Sequence, residues 1–333
     1  MRQMRPWRVI GALSISAVCV FPVSTAPPNL LAPGAAVRLH AHNCYPQGQW
    51  ADRLDRALKT GVSPIVIEQD LVWHNGASVV THEVESAKTA PTLEEHFFAR
   101  VGPMLDRALA EGRRDQWPVV VLHFDFKTNE PEHHAEIWRL LGKYERWLTT
   151  AERTADPSRV MPFVPGPMLV LTERGAGQEL TFHDRVPVGA RLRLFGTVAP
   201  LPPPAGREKD PTYAAEAAPE ALIPSGATNY RRWTNHSWAA IEAGGPQKAG
   251  KWTAADRARL DRVVRRAHDS GLWIRFYTLN GHATDANRGW SNSYNFGSLD
   301  AARERWRAAI ETRVDFVATD QYEEFARELT ASR

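Results

Sequence analysis

Eight short apolar runs recur along this chain, most followed by an amphipathic helical stretch, and that alternation limits the fold more than any other feature. Strand-like runs separated by helix-length segments call for parallel strands joined by crossover helices. The runs are AVRLHAHN (36 to 43), PIVIEQDLVW (64 to 73), PVVVLHFDFK (118 to 127), PMLVLTE (167 to 173), RLRLFGT (191 to 197), NYRRWTN (229 to 235), LWIRFYTLN (272 to 280) and DFVATDQ (315 to 321). Between them lie stretches such as TLEEHFFARVGPMLDRALAEG and TAADRARLDRVVRRAHDSG, which begin at a capping Thr and end at Gly. The pattern predicts a (β/α)8 TIM barrel, one domain spanning residues 34 to 330. Two long polar loops follow the fifth and seventh strands, which places both on the catalytic face of such a barrel.

Residues 1 to 26 read differently. Three arginines precede VIGALSISAVCVF, an apolar stretch shorter than the roughly 20 residues that cross a bilayer, and small residues follow near Ser24 to Ala26. This is the pattern of a secretory signal peptide and predicts a secreted or periplasmic protein with no transmembrane anchor in its mature form. Loss of Arg2, Arg5 and Arg8 leaves 38 of the 41 Lys and Arg residues, matching the 38 Asp and Glu. A near-neutral mature chain gives no basic face for nucleic acid. Of the two cysteines, Cys19 leaves with the leader. Cys44 then has no partner for an internal disulfide, reads as a buried thiol, and leaves the fold resting on its hydrophobic core.

Alternation along a strand puts Arg38, His40 and His42 on one face of the first run, with Val37, Leu39 and Ala41 opposite. The same parity groups Val66, Glu68 and Asp70 on the second run and His123, Asp125 and Lys127 on the third. Polar groups on three adjacent strands therefore point into the barrel. Three carboxylates close together repel one another unless a positive charge lies between them. An all-oxygen set selects one hard divalent cation, Mg2+ or Ca2+, held by Glu68, Asp70 and Asp125, with Asn43 adding a carbonyl oxygen. Structural ion pairs with Lys127 and Arg38 are the plainer alternative. After the second run comes a hairpin, VWHNGASVVTHE, whose loop is read as three residues, His74 to Gly76; this sets His82 across from Glu68. His42 and His82 then flank the metal as base and acid, with Lys127 neutralising a phosphoryl group. His74, His96, His133, His134 and His268 fall on turns or helices and read as surface residues.

Six of these segments resemble the phosphatidylinositol phospholipase C-like phosphodiesterases, which include the glycerophosphodiester phosphodiesterases; the nearest branch is the altered-inheritance-of-mitochondria type. They are HAHN, IEQD, VVTHE, FDFKTN, YTLN and DFVATDQ, in family order between residues 36 and 321. The resemblance implies a metal-dependent phosphodiesterase barrel with His42 and His82 as catalytic histidines. It implies Glu68, Asp70 and Asp125 as metal-binding acids and Lys127 as a phosphate contact. Asn43 stands where glycerophosphodiesterases usually carry arginine and matches the calcium-dependent phospholipases C. Glu83 replaces the aspartate common after the second histidine.

The expected substrate is a phosphodiester, lipid or soluble. His40, Arg275, Tyr277 and Trp233 are candidates for the pocket wall, and Trp290, Tyr294 and Phe296 for stacking on substrate or bracing a loop. Two other readings stand beside this one. A glycoside hydrolase would use paired carboxylates across a sugar, yet Glu68 and Asp70, two apart on one strand, suit chelation better. A barrel that binds metal or ligand without turnover would have little use for two proton-transfer groups.

Overall fold

The computed structural model describes residues 29–48, 51–283, 285–286 and 291–332. The leader and Trp290 lie outside the described residues. All eight runs form parallel barrel strands: β1 (Arg38–Ala41), β2 (Ile65–His74), β3 (Val120–Phe126), β4 (Met168–Thr172), β5 (Gly196–Val198), β6 (Arg231–Ser237), β7 (Trp273–Tyr277) and β8 (Phe316–Thr319). Their order around the sheet is β4-β3-β2-β1-β8-β7-β6-β5. A parallel bridge between Leu171 and Phe195 joins its ends, with Thr172 N donating to Phe195 O at 3.0 Å and Phe195 N to Val170 O at 3.0 Å. The protein is a (β/α)8 TIM barrel.

The fifth run splits between two sheets. Arg191–Leu192 joins a small antiparallel sheet with Thr150–Glu152 and Phe163–Val164, and only Gly196–Val198 enters the barrel. Around the barrel lie α1 (Arg53–Lys59), α2 (Ala99–Glu111), α3 (Pro131–Lys143), α4 (Ala254–Asp269), α5 (Leu299–Glu311) and α6 (Tyr322–Ala331). Their ends follow the sequence signals. Thr253 and Asp256 form a capping box on α4, Ser298 caps α5, and Gly112 ends α2 at φ 65. After β4 and β5 the regular helix is replaced by a π turn, Leu180–Asp184, and by two short turns, Tyr213–Glu216 and Pro219–Leu222.

Apolar residues fill two layers. Leu39, Ile67, Leu122, Val170, Ile274 and Val317 are buried in the larger cluster that packs strands against helices. Val66, Val121, Leu171, Trp233, Trp273 and Phe316 fill the lower barrel. Each such side chain contributes about 1.5–3 kcal/mol by leaving water. The inner layer closes the barrel from below, so polar inward residues collect at the strands' C-terminal ends.

Two expectations are corrected. The hairpin after β2 pairs His74 with Ala77, so its loop is two residues, Asn75 and Gly76, both at positive φ (48 and 80). Asn tolerates the left-handed region, and this tighter turn matches the twist of the paired strands better than a three-residue loop. The histidines assigned to the surface are also misplaced: His96, His133 and His134 are buried, and His268 is largely so. His96 Nε2 lies 2.8 Å from Cys44 O and His133 Nε2 2.9 Å from Ser78 Oγ. Each ring has an apolar body and a polar tip, which suits the seam between a helix and the barrel.

Candidate active site

A cavity of about 150 Å³ opens at the C-terminal mouth of the barrel, lined by His42, Asn43, Glu68, Asp70, His82, Asp125, Lys127, Arg275 and Tyr277. Sequence parity brought most of these residues together, with two exceptions; one is Asn43, opposite in parity to His42, which turns in at φ 60 past the end of β1. His82 arrives by another route: the ladder ends at Thr81, whose N–H donates to Asp70 O at 3.0 Å, and the chain then turns toward the cavity. Tyr294 also lines the cavity, its ring 5.8 Å from that of His42, whereas Phe296 packs against the outer core. His40 and Trp233 do not line it. Both are buried one layer lower, because inward positions on adjacent strands stack in layers and these two fall beneath the floor. Cys44 is buried, and burial pushes its thiol up to about 12.

Glu68 stands at the centre of the floor. Both of its oxygens lie 3.2 Å from Arg275 Nη2, and His42 Nε2 is 3.8 Å from Oε2. Lys127 Nζ bridges Asp70 Oδ1 at 3.0 Å and Asp125 Oδ2 at 2.7 Å. Burial pushes the Asp70 carboxyl up to about 8 against the pull of Lys127, whereas at Asp125 burial is outweighed by Lys127 together with His123 and Arg275, which hold it below its usual range.

Two residues outside the sequence reading complete the site. Glu173, at the end of β4, lines the cavity, accepts from Asn235 Nδ2 at 2.8 Å and lies 3.3 Å from Arg275 Nη1. Burial and the neighbouring Asp125 push its carboxyl up to about 7. Asp320, beyond β8, is fully buried as a side chain and lies 3.1 Å from His42 Nδ1, 2.9 Å from Asn43 Nδ2 and 3.3 Å from Arg53 Nη1. The signal for both was present. Glu173 shares parity with Leu169 and Leu171, and Asp320 with Phe316 and Ala318, so each is the first polar inward position above an apolar strand.

The two catalytic candidates differ electrostatically. Burial alone would lower the His42 pKa, but the Glu68 and Asp320 carboxylates outweigh it and raise it. His82 is lowered by burial and by Lys127, although its Nδ1 lies 2.7 Å from Glu83 Oε1.

The donor set fits a divalent cation. Oxygens of Glu68, Asp125 and Glu173 lie within 4.8 Å of one another, and among the described residues four cavity carboxylates face two fixed cations, Lys127 and Arg275. Asp70 Oδ2 is buried and has no hydrogen-bond partner among the described residues. Asn43 fits less directly, since its amide nitrogen is turned toward Asp320 and His42.

No family model and no curated protein matches the sequence. Among solved structures the chain is similar to a glycerophosphoryl diester phosphodiesterase from Parabacteroides distasonis, at 13% identity over 90% of this chain and 87% of that one, with a TM-score of 0.39. It is also similar to a 7,8-dihydropteroate synthase from Vibrio fischeri, at 13% identity over 90% and 92% with a TM-score of 0.37. A Bacteroides ovatus GH5 xyloglucanase follows at 11% identity over 92% and 68%, with a TM-score of 0.25. Likenesses this distant leave function to the site itself. Among the described residues no helix is long and apolar enough to cross a membrane.

Proposed function

We propose that this chain is a secreted phosphodiesterase that uses one Mg2+ or Ca2+ ion, held by Glu68, Asp125 and Glu173 with Asp70 beside them. When bound, the ion supplies Lewis-acid stabilisation of negative charge on a phosphoryl oxygen. The residues supply the rest. With Nδ1–H donated to Asp320, the His42 ring is fixed in one tautomer and its Nε2 faces the cavity, where it can exchange a proton with an oxygen of the substrate. His82 lines the same cavity and serves the opposite proton transfer. Lys127, already shared between two carboxylates, lies within the same cavity to meet an equatorial phosphoryl oxygen.

One observation carries this reading: an imidazole oriented by a buried carboxylate opens onto the same small cavity as a cluster of four acids. A sugar-cleaving site needs no such oriented imidazole, and a pure binding site needs no proton shuttle. The test is phosphorus NMR on the purified mature chain with glycerophosphodiester, lysolipid and phosphoinositide substrates, with aryl glycosides followed separately by absorbance of the released phenol. Phosphodiester cleavage that stops in His42→Ala and Glu68→Ala supports the reading. Glycoside cleavage with intact phosphodiesters would replace it with a glycosidase. The same spectra separate a cyclic phosphate from a linear one.

A further inference from the structure

Beneath the cavity floor, His40 and His123 are 1% and 0% exposed, and among the described residues none of their four ring nitrogens has a hydrogen-bond partner. Leaving buried donors and acceptors unmade costs about 1–3 kcal/mol each. Both rings face Glu68: His123 Nδ1 is 3.6 Å from Oε1 and His40 Nε2 is 3.9 Å from Oε2. These separations are too long for hydrogen bonds. They are too short for a bridging water, which sets its two partners roughly 4.5 Å apart through bonds of about 2.8 Å. They approach the roughly 3.4 Å between two donors each about 2.1 Å from a tetrahedral ion.

We propose that His40, Glu68 and His123 form a buried site for a borderline-soft divalent ion of the Zn2+ class, lying beneath the oxygen-lined cavity and sharing Glu68 with it. Ligand atoms of the three residues lie within 4.8 Å of one another. Two imidazoles and one carboxylate favour Zn2+ over Mg2+ or Ca2+, and three protein ligands leave one position open. The surroundings match. His123 Nε2 faces Glu173 Oε1 at 3.5 Å, beyond a hydrogen bond in the metal-free chain, so a ring that ligates through Nδ1 has a carboxylate close by its other nitrogen, the usual outer support of a metal-bound histidine. Arg275 stays on the Glu68 carboxylate as a second outer partner, and Glu173 offsets its charge.

The test needs no phosphodiester and uses metal alone. The full chain, stripped with chelator, is titrated with Co2+ by visible absorption and then with Zn2+. One Co2+ per chain with mixed nitrogen and oxygen coordination, displaced by Zn2+, is expected. His40→Gln and His123→Gln should each weaken it by at least 100-fold, and Glu173→Gln by 10- to 100-fold. Asp125→Asn should leave Zn2+ affinity unchanged while weakening Mg2+ uptake above. Should the histidine variants fail to fold, X-ray absorption on the unaltered chain with one equivalent of Zn2+ decides: two imidazoles support the site. An all-oxygen shell, Zn2+ uptake that survives both histidine changes or vanishes in Asp125→Asn, or no uptake by the folded chain would overturn it.

Discussion

The last barrel strand carries a buried aspartate just beyond each end, and each aspartate holds a histidine. Above β8, Asp320 meets His42 at 3.1 Å; below it, Asp315 meets His268 at 2.9 Å. The lower aspartate spends its remaining lone pairs on structure, accepting from Gly34 N at 2.7 Å and Ile274 N at 2.9 Å, and so ties the segment before β1 to the barrel bottom. The upper one accepts from Asn43 and Asn280 Nδ2, at 2.9 and 2.7 Å, and fixes a ring that opens onto the cavity. The same pair of residue types thus anchors the chain at one end of a strand and aims a proton carrier at the other. What differs is the direction in which the second ring nitrogen faces.

The sharpest way to break that comparison is to remove the rings. His42→Ala should lower kcat/KM for a phosphodiester by about 10³- to 10⁴-fold, while His268→Ala should leave turnover within about two-fold. Equal losses would erase the distinction between the strand ends. Asp320→Asn comes next, with a fall in kcat of about 100-fold and little change in KM, because the tautomer and charge of His42 are no longer supported.

Asp315→Ala acts on stability instead. It leaves the buried Ile274 N–H and the partly buried Gly34 N–H without an acceptor and should lower unfolding free energy by about 3 kcal/mol in a urea titration, with normal turnover below the transition.

The pH dependence has a definite sign. His42 is raised in the folded chain, so its stabilising share is present below about pH 6.5 and fades as pH rises through its folded value. Asp320 is depressed, the His42 charge and hydrogen bonds outweighing burial, so its share is present above about pH 4 and fades as pH falls. The stability lost in Asp320→Asn should therefore be greatest between about pH 4 and 6.5. The smallest effect is spectroscopic. In metal-free protein the His42 ring should titrate above an ordinary histidine and His82 below; a divalent ion on Glu68 should then lower His42, seen by imidazole proton NMR.

The barrel was legible because strand and helix periods alternate cleanly, and the inward faces of β1 to β3 followed from parity alone. Parity also held the information for Glu173 and Asp320, which lay unread at the ends of strands already drawn. The hairpin was harder. Two- and three-residue loops both suit an Asn-Gly turn, and His82 reaches the cavity only after the ladder ends, where neither periodicity nor register speaks. Layer height was also beyond the sequence: His40 and His42 share a face, yet one lies under the floor and the other in the wall.

Metal dependence of turnover tests the central claim most directly. The mature chain, freed of divalent ions by chelation, should leave an activated aryl phosphodiester intact and recover cleavage when Mg2+ or Ca2+ is restored, with Asp125→Asn failing to recover. Undiminished cleavage in the chelated protein would contradict an account in which the cavity's surplus of carboxylates exists to hold a cation.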